Sequence, residues 1–316
     1  MSQPELNQTD GLWFPADAII LRAEENIFRV PKSILGARSS VFQAIFEIPQ
    51  AGSNSVETEE EDEKIDGIPV VRLHDSAADV TAFLRAIFDS SYFMPPPEDI
   101  DFHELLGILG LSHKYDVGYL YKRAISHLET VYPLERSGLL TIDSNNLKYR
   151  SGSVDFDLAA IPVLHRVGAT WLLPTAYYNV GTFWDETLEV SGKLWPQFPS
   201  EMKLTCIRLH VKHVQATSRF HRIFARRLST CTSPQLCNAR RLEILRNEDE
   251  EVDHDPLGVW SAFGTRGLEG ALCDHCLYRL KTDWEVTLLD IWNELPGNCG
   301  VPEWPVLLEQ RRIALE

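Results

Sequence analysis

Apolar positions along this chain repeat with two different periods. Ala18–Leu21 and Ile27–Val30 are short apolar runs on either side of the charged turn Glu24-Glu25-Asn26, which predicts a β-hairpin. Pro31 suits the first position of a following helical turn, where no N–H is needed. Ser40 and Gln43 form a capping box ahead of Val41, Phe42, Ile45 and Phe46. An acidic loop, Gly52–Gly67, separates this unit from another short strand over Pro69–Leu73. The period then lengthens. Behind the cap pair Ser76 and Asp79, the positions Val80, Phe83, Leu84, Ile87 and Phe88 predict a helix with one buried stripe. Asp101 and Glu104 cap the next helix, with Phe102, Leu105, Leu106 and Leu109 on its inner face. A break at Lys114-Tyr115-Asp116 precedes a helix carrying Val117, Leu120, Ala124, Leu128 and Val131, which Pro133 closes. Strands followed by grouped helices predict an α+β domain over residues 12–133.

The remainder reads as helical. Residues 134–153 form a polar connector, and Asp155 to Phe183 predicts two helices interrupted near Pro162 and Pro174. Ser200 caps a long helix in which Leu204, Ile207, Val211 and Val214 fall at heptad spacing, with Phe224 and Leu228 prolonging the stripe. That spacing predicts a seam packed in the core. Trp260, Trp284, Trp292 and Trp304 supply large rings for the same helical core. The expected organisation is a flexible tail over 1–11, an α+β domain over 12–133, a linker over 134–153 and a mainly α-helical domain over 154–316.

Bulk properties narrow the functional classes. With 316 residues, two domains are expected, and 44% hydrophobic with 24% charged residues is a globular composition. The net charge of −16 repels nucleic acid and anionic membranes alike. The polar start MSQPELNQTDG lacks a signal peptide's basic and apolar regions, so an intracellular location in cytoplasm or nucleus is expected, with reduced cysteines. One stretch runs against the acidic background. Lys203, Arg208, Lys212, Arg219, Arg222, Arg226, Arg227, Arg240, Arg241 and Arg246 face a single acid, Glu243, between positions 203 and 246. A surface for nucleic acid or an acidic partner is one reading, and pairing with acidic loops such as Asn247–Asp255 is the other; the second or a protein partner is favoured.

The cysteines pose a question of metal or packing. Cys273 and Cys276 make a C-x-x-C turn, and Cys231 and Cys237 a longer C-x5-C pair. Four thiolates from two segments can enclose a structural zinc ion, and His275 offers an alternate imidazole ligand. Alternatively these side chains simply pack, as expected of Cys206 and Cys299. A filled four-thiolate site leaves no open position for catalysis. No P-loop or nucleophile elbow occurs, Gly264, Gly267 and Gly270 follow no predicted strand, and His210 and His213 lack a third ligand. No enzyme class is indicated.

Three segments carry a family resemblance: DAIILRAEENIFRVPKSILGARSSVFQAIF from Asp17, PVVRLHDSAADVTAFLRAIFDSSY from Pro69 and FHELLGILGLSHKYDVGYLYKRAISHLE from Phe102. With Asp17 opening the first strand, Ser39–Phe42, Leu73–Asp75 and Lys114-Tyr115 in this order and spacing, the first half resembles a BTB/POZ domain. The whole looks like fungal BTB-domain proteins with a helical C-terminal half. The resemblance implies a BTB/POZ fold and a non-enzymatic protein–protein interaction role, as adaptor or scaffold. Its partners would be other proteins, including itself or a cullin. Two alternatives are a nuclear transcriptional regulator whose basic helix touches nucleic acid and a substrate adaptor of a cullin ubiquitin ligase. The short polar tail before Leu12 is too small for the extra helix and strand of strand-swapped BTB dimers.

Overall fold

The computed structural model describes residues 18–47, 64–141, 155–182, 194–247, 255–257 and 270–316. The tail 1–11, the acidic run before Lys64, Phe183, Trp260, Gly264 and Gly267 lie outside them. The chain divides into two units, Met1–His127 and Leu128–Glu316. The architecture is α+β: a small sheet and predominantly helix.

In the first unit, β1 (Ala18–Ala23) and β2 (Asn26–Pro31) pair antiparallel, with Ala23 opposite Asn26 across a two-residue turn. Glu24 takes a left-handed φ of 51° there, and the Arg22 Nε donates to its carbonyl at 3.2 Å. Pro31 ends β2 and precedes α1 (Lys32–Arg38), one position earlier than expected. It lacks an N–H to donate and so fits an edge strand. The cap of α2 (Ser40–Glu47) also moves by one: Ser39 accepts from the Phe42 N–H at 3.0 Å, while Ser40 donates to Asp116. Part of the expected acidic loop is ordered into sheet. β3 (Lys64–Ile65) and β4 (Ile68–Leu73) flank Asp66-Gly67, both with positive φ, a two-residue hairpin that Asp-Gly favours. β4 runs parallel to β1, giving the order β2-β1-β4-β3. Flanked by strands on both edges, β1 buries Ile19, Ile20, Leu21 and Ala23 without alternation.

The helices of this unit follow their predicted stripes. In α3 (Ala77–Phe88), Val80, Phe83 and Leu84 are buried and the Ser76 cap accepts from the Asp79 N–H at 3.1 Å; Phe88, at the frayed end of the stripe, is exposed. Asp101 accepts from the N–H groups of His103 and Glu104 to start α4 (Phe102–Lys114). Gly107 lets α4 approach α3, because a Cβ there would collide with the Asp79 carboxylate. Asp116, with a φ of 53°, turns the chain into α5 (Gly118–Val131), within which the division between units falls.

The second unit is helical throughout the described residues. α6 (Arg136–Thr141) occupies part of the stretch expected to be a connector. α7 (Asp155–Arg166) continues through Pro162, contrary to the expected interruption, because Leu158, Ile161 and Leu164 hold one buried face across it. The actual break comes later, at Gly168 (φ 71°) and the 3-10 turn Thr170–Leu172. α8 (Leu173–Thr182) is apolar nearly all round and buried from Leu173 to Gly181, the signature of a central helix. Around it pack α7, α10 (Ser200–Ala225) and α12 (Asp274–Cys299), with α9 (Leu194–Gln197), α11 (Pro234–Asn247) and α13 (Trp304–Leu315) completing the bundle.

α10 departs most from expectation. Its first helical residue is Ser200, but Pro199 is the cap residue and offers no side-chain hydrogen bond. Leu204, Ile207, Val211 and Val214, the predicted core seam, are 61%, 43%, 46% and 44% exposed. The buried face instead carries Cys206, Leu209, His213, Ala216, Thr217, Phe220 and Phe224. Phe220 and Phe224 meet Trp284 at ring distances of 4.7 and 5.7 Å, and Trp292 stacks on Trp304 at 4.6 Å. Among the described residues, no helix is long and apolar enough to cross a membrane.

Candidate metal centre

The four cysteines singled out by spacing come together in the second unit. Sulfur atoms of Cys231, Cys237, Cys273 and Cys276 all lie within 4.8 Å of one another. Two local devices make this possible. Cys273 is the N-cap residue of α12 and Cys276 sits in its first turn, so the pair shares one helix face. Cys231 follows a turn closed by its N–H to the Leu228 carbonyl, and Cys237 lies in the first turn of α11, its N–H bonded to Ser233. The five intervening residues are thus gathered by a helix start, and the long pair becomes a knuckle like the short one.

The distances suit a metal better than a disulfide. Cys231 and Cys273 sulfurs are 3.8 Å apart, and all six cysteines are free thiols. A tetrahedral zinc with bonds of about 2.3 Å requires sulfur–sulfur edges of roughly 3.8 Å. The Cys273 N–H donates to the Cys237 sulfur at 3.3 Å, the kind of backbone donor that orients a thiolate ligand. Charge is distributed to match. The Cys276 backbone N–H, helped by Thr232, draws the Cys273 thiol down to about 5, without closing a full cap hydrogen bond. Burial raises Cys237 and pushes Cys276 up to about 12, so those two protons need a cation to displace them. His275 is exposed and stands outside the four.

Arg241 is a buried cation beside the thiols. It is 4% exposed, donates to the Arg226 carbonyl, and its charge favours the Cys276 thiolate. Four thiolates around a divalent cation leave two negative charges, one of which a buried guanidinium offsets. The signal available in sequence was an arginine one helical turn beyond Cys237 on the same helix. Cys206 and Cys299 lie elsewhere, both buried; burial pushes Cys206 up to about 12 and raises Cys299 likewise, which makes them packing residues.

The basic stretch is partly neutralised within its own unit by α12, while residues 248–254 of the acidic loop expected to pair with it lie outside the described residues. Arg219 grips Glu294 at 2.8 and 2.9 Å, and Arg226 reaches Asp283 at 3.4 Å. Together with the cysteines, these pairs run α10 and α12 antiparallel, with the thiols at the end where α10 finishes and α12 begins.

A second cluster, in the first unit, joins three segments distant in sequence. Asp75 accepts from Lys114 Nζ at 2.6 Å and from the Tyr115 hydroxyl at 2.6 Å. Ser39 donates to the Tyr115 carbonyl, and the Phe42 ring stacks on Tyr115 at 4.5 Å. Burial raises the Tyr115 phenol, so it stays a neutral donor. The arrangement has the character of a structural latch. No family model, curated protein or solved structure matches the chain.

Proposed function

We propose that this chain is a non-enzymatic protein-interaction protein of BTB/POZ type, acting as an adaptor or scaffold, whose helical second unit is clamped by a structural zinc ion. The observation that carries the zinc reading is the set of four thiols within 4.8 Å of one another, supplied by the starts of two helices. Cys231, Cys237, Cys273 and Cys276 would hold the ion. Zinc bound there supplies cross-linking between two chain segments, and four protein ligands leave it no open position for a substrate. The Cys273 N–H and Arg241 orient and neutralise the thiolates.

The BTB/POZ reading is supported by the first unit's own geometry. The motif residues Ser39, Phe42, Asp75, Lys114 and Tyr115, scattered through the segments that carry the resemblance, meet in one hydrogen-bonded cluster. The order hairpin, two short helices, second strand pair and three helices follows the order of those segments. An interaction role follows from the resemblance, and proteins are the partners it implies. The nucleic-acid alternative is weakened by Arg219 and Arg226 being committed to Glu294 and Asp283, and by Arg241 being buried. Affinity purification of the full chain from its native cells, read by mass spectrometry, should recover the same proteins in independent preparations, and purified partners should bind the purified chain directly. Recovery of nothing above an unrelated tagged control would contradict the proposal.

A further inference from the structure

The outward seam of α10 is a coherent surface. Leu204, Ile207, Val211 and Val214 follow a three-four-three spacing, which places them in one line on the face opposite Leu209, Phe220 and Phe224. Over this span the line is about 15 Å long at 1.5 Å per residue. Scattered exposed aliphatic residues need no explanation, but a heptad seam on a 26-residue helix is the pattern that accepts another helix.

Charge along the seam selects the partner. Glu201 is the only acid in α10. Lys203 lies on one flank, and Arg208 and Arg222 on the other, at the positions that face a docked helix's own flanking residues. Among the described residues, Lys203 donates to the Pro196 carbonyl, Arg208 to the Asn298 carbonyl and Arg222 to the Ser218 carbonyl, neutral acceptors that leave the positive charge in place. Arg219, beside them, has its charge met by a carboxylate, Glu294. A second copy of the chain would bring the same basic flanks to the seam and be repelled, while nucleic acid has no use for an aliphatic line at its centre.

We propose that this seam docks an amphipathic helix from another protein, with aliphatic residues along its contact line and Glu or Asp on both flanks. The surface belongs to the second unit and does not depend on zinc or on the BTB/POZ reading. Two apolar turns flanked by screened charges give modest affinity that falls as salt rises.

The test uses the full chain and a fluorescent synthetic helix with Leu at the contact positions and Glu at the flanks, followed by anisotropy. A companion peptide carries Lys at the flanks. The acidic peptide should bind, and the basic one should bind at least about tenfold more weakly. Ile207→Asp with Val211→Asp should weaken the acidic peptide by about tenfold or more while leaving the circular-dichroism melt unchanged, since neither side chain is in the core. Arg208→Glu with Arg222→Glu should shift preference toward the Lys-flanked peptide. No binding by the acidic peptide, equal binding of both peptides, or binding that survives the Asp substitutions would overturn the proposal. So would a dimer dissolved by the same substitutions, which gives the seam to a second copy, or displacement of the peptide by duplex DNA at moderate salt.

Discussion

α3 and α10 both carry apolar residues at helical spacing, yet the two stripes end on opposite sides of their helices. In α3, Val80, Phe83 and Leu84 go inward, where α4 brings Leu105, Ile108 and Leu109. In α10, the aliphatic heptad faces out, and a mixed face of Cys206, Leu209, Ala216, Phe220 and Phe224 goes in. The difference lies in competition. α3 has one apolar face, so periodicity identifies the buried side. α10 has two, and the one with aromatic rings wins, since each Phe or Trp hides about 150–250 Å². Phe220 and Phe224 both close on Trp284, and Gly181 lets α8 come near α10, since a Cβ there would meet the His213 ring at 2.8 Å.

Substitutions on the two faces of α10 give the sharpest break in this comparison. Leu209→Ala, in the core, should lower unfolding free energy by about 2–5 kcal/mol, whereas Ile207→Ala on the outer seam should change it by less than about 0.5 kcal/mol. Chemical denaturation followed by tryptophan fluorescence reads both. Equal costs would mean that the seam is buried after all.

A smaller effect is read by pH in the first unit. His127, buried in the first unit, donates from Nε2 to the Met94 carbonyl at 2.7 Å and stacks on Phe93. Burial lowers its pKa below the ordinary 6.5, with Arg123 adding to the effect and Asp99 and the Met94 carbonyl opposing it. The unfolded chain therefore binds the proton more readily. Stability from this group is intact above about 6.5 and declines as pH falls below it, by at most about 1.4 kcal/mol per pH unit. His127→Gln, which keeps a donor for Met94, should flatten that part of the profile between pH 7 and 5. An unchanged slope would show that His127 is not the group responsible.

The first unit was more legible in sequence than the second, for reasons visible at particular residues. The hairpin Ala18–Pro31 and the caps Ser76 and Asp101 announce themselves through local chemistry, so β1, β2, α3 and α4 lie where periodicity and capping place them. Asp66-Gly67 carried an equally local signal, but the acidic run before it drew the whole stretch into a loop. In the second unit the outcomes depend on tertiary packing. Pro162 looks like a break until Leu158, Ile161 and Leu164 are seen to hold α7 together. The C-x5-C spacing of Cys231 and Cys237 looks too long for a knuckle until α11 is seen to start between them. Arg241 lies one helical turn beyond Cys237, but a buried counter-charge is recognisable only beside the thiols it faces.

That contrast also assigns the two units different sources of cohesion. The first has a four-stranded sheet and helices that pack along their predicted stripes, α3 on α4. The second has a helix, α10, with the four aliphatic residues Leu204, Ile207, Val211 and Val214 turned away from the core, and a cluster of thiols at the end where it meets α12. Elemental analysis of freshly purified, reduced, full-length protein tests this account most directly. It should contain about one zinc per chain, absent from Cys237→Ser with Cys276→Ser, and chelation should lower the melting of the second unit. Less than about half an equivalent in well-folded protein, or a melt indifferent to chelation, would contradict the clamp.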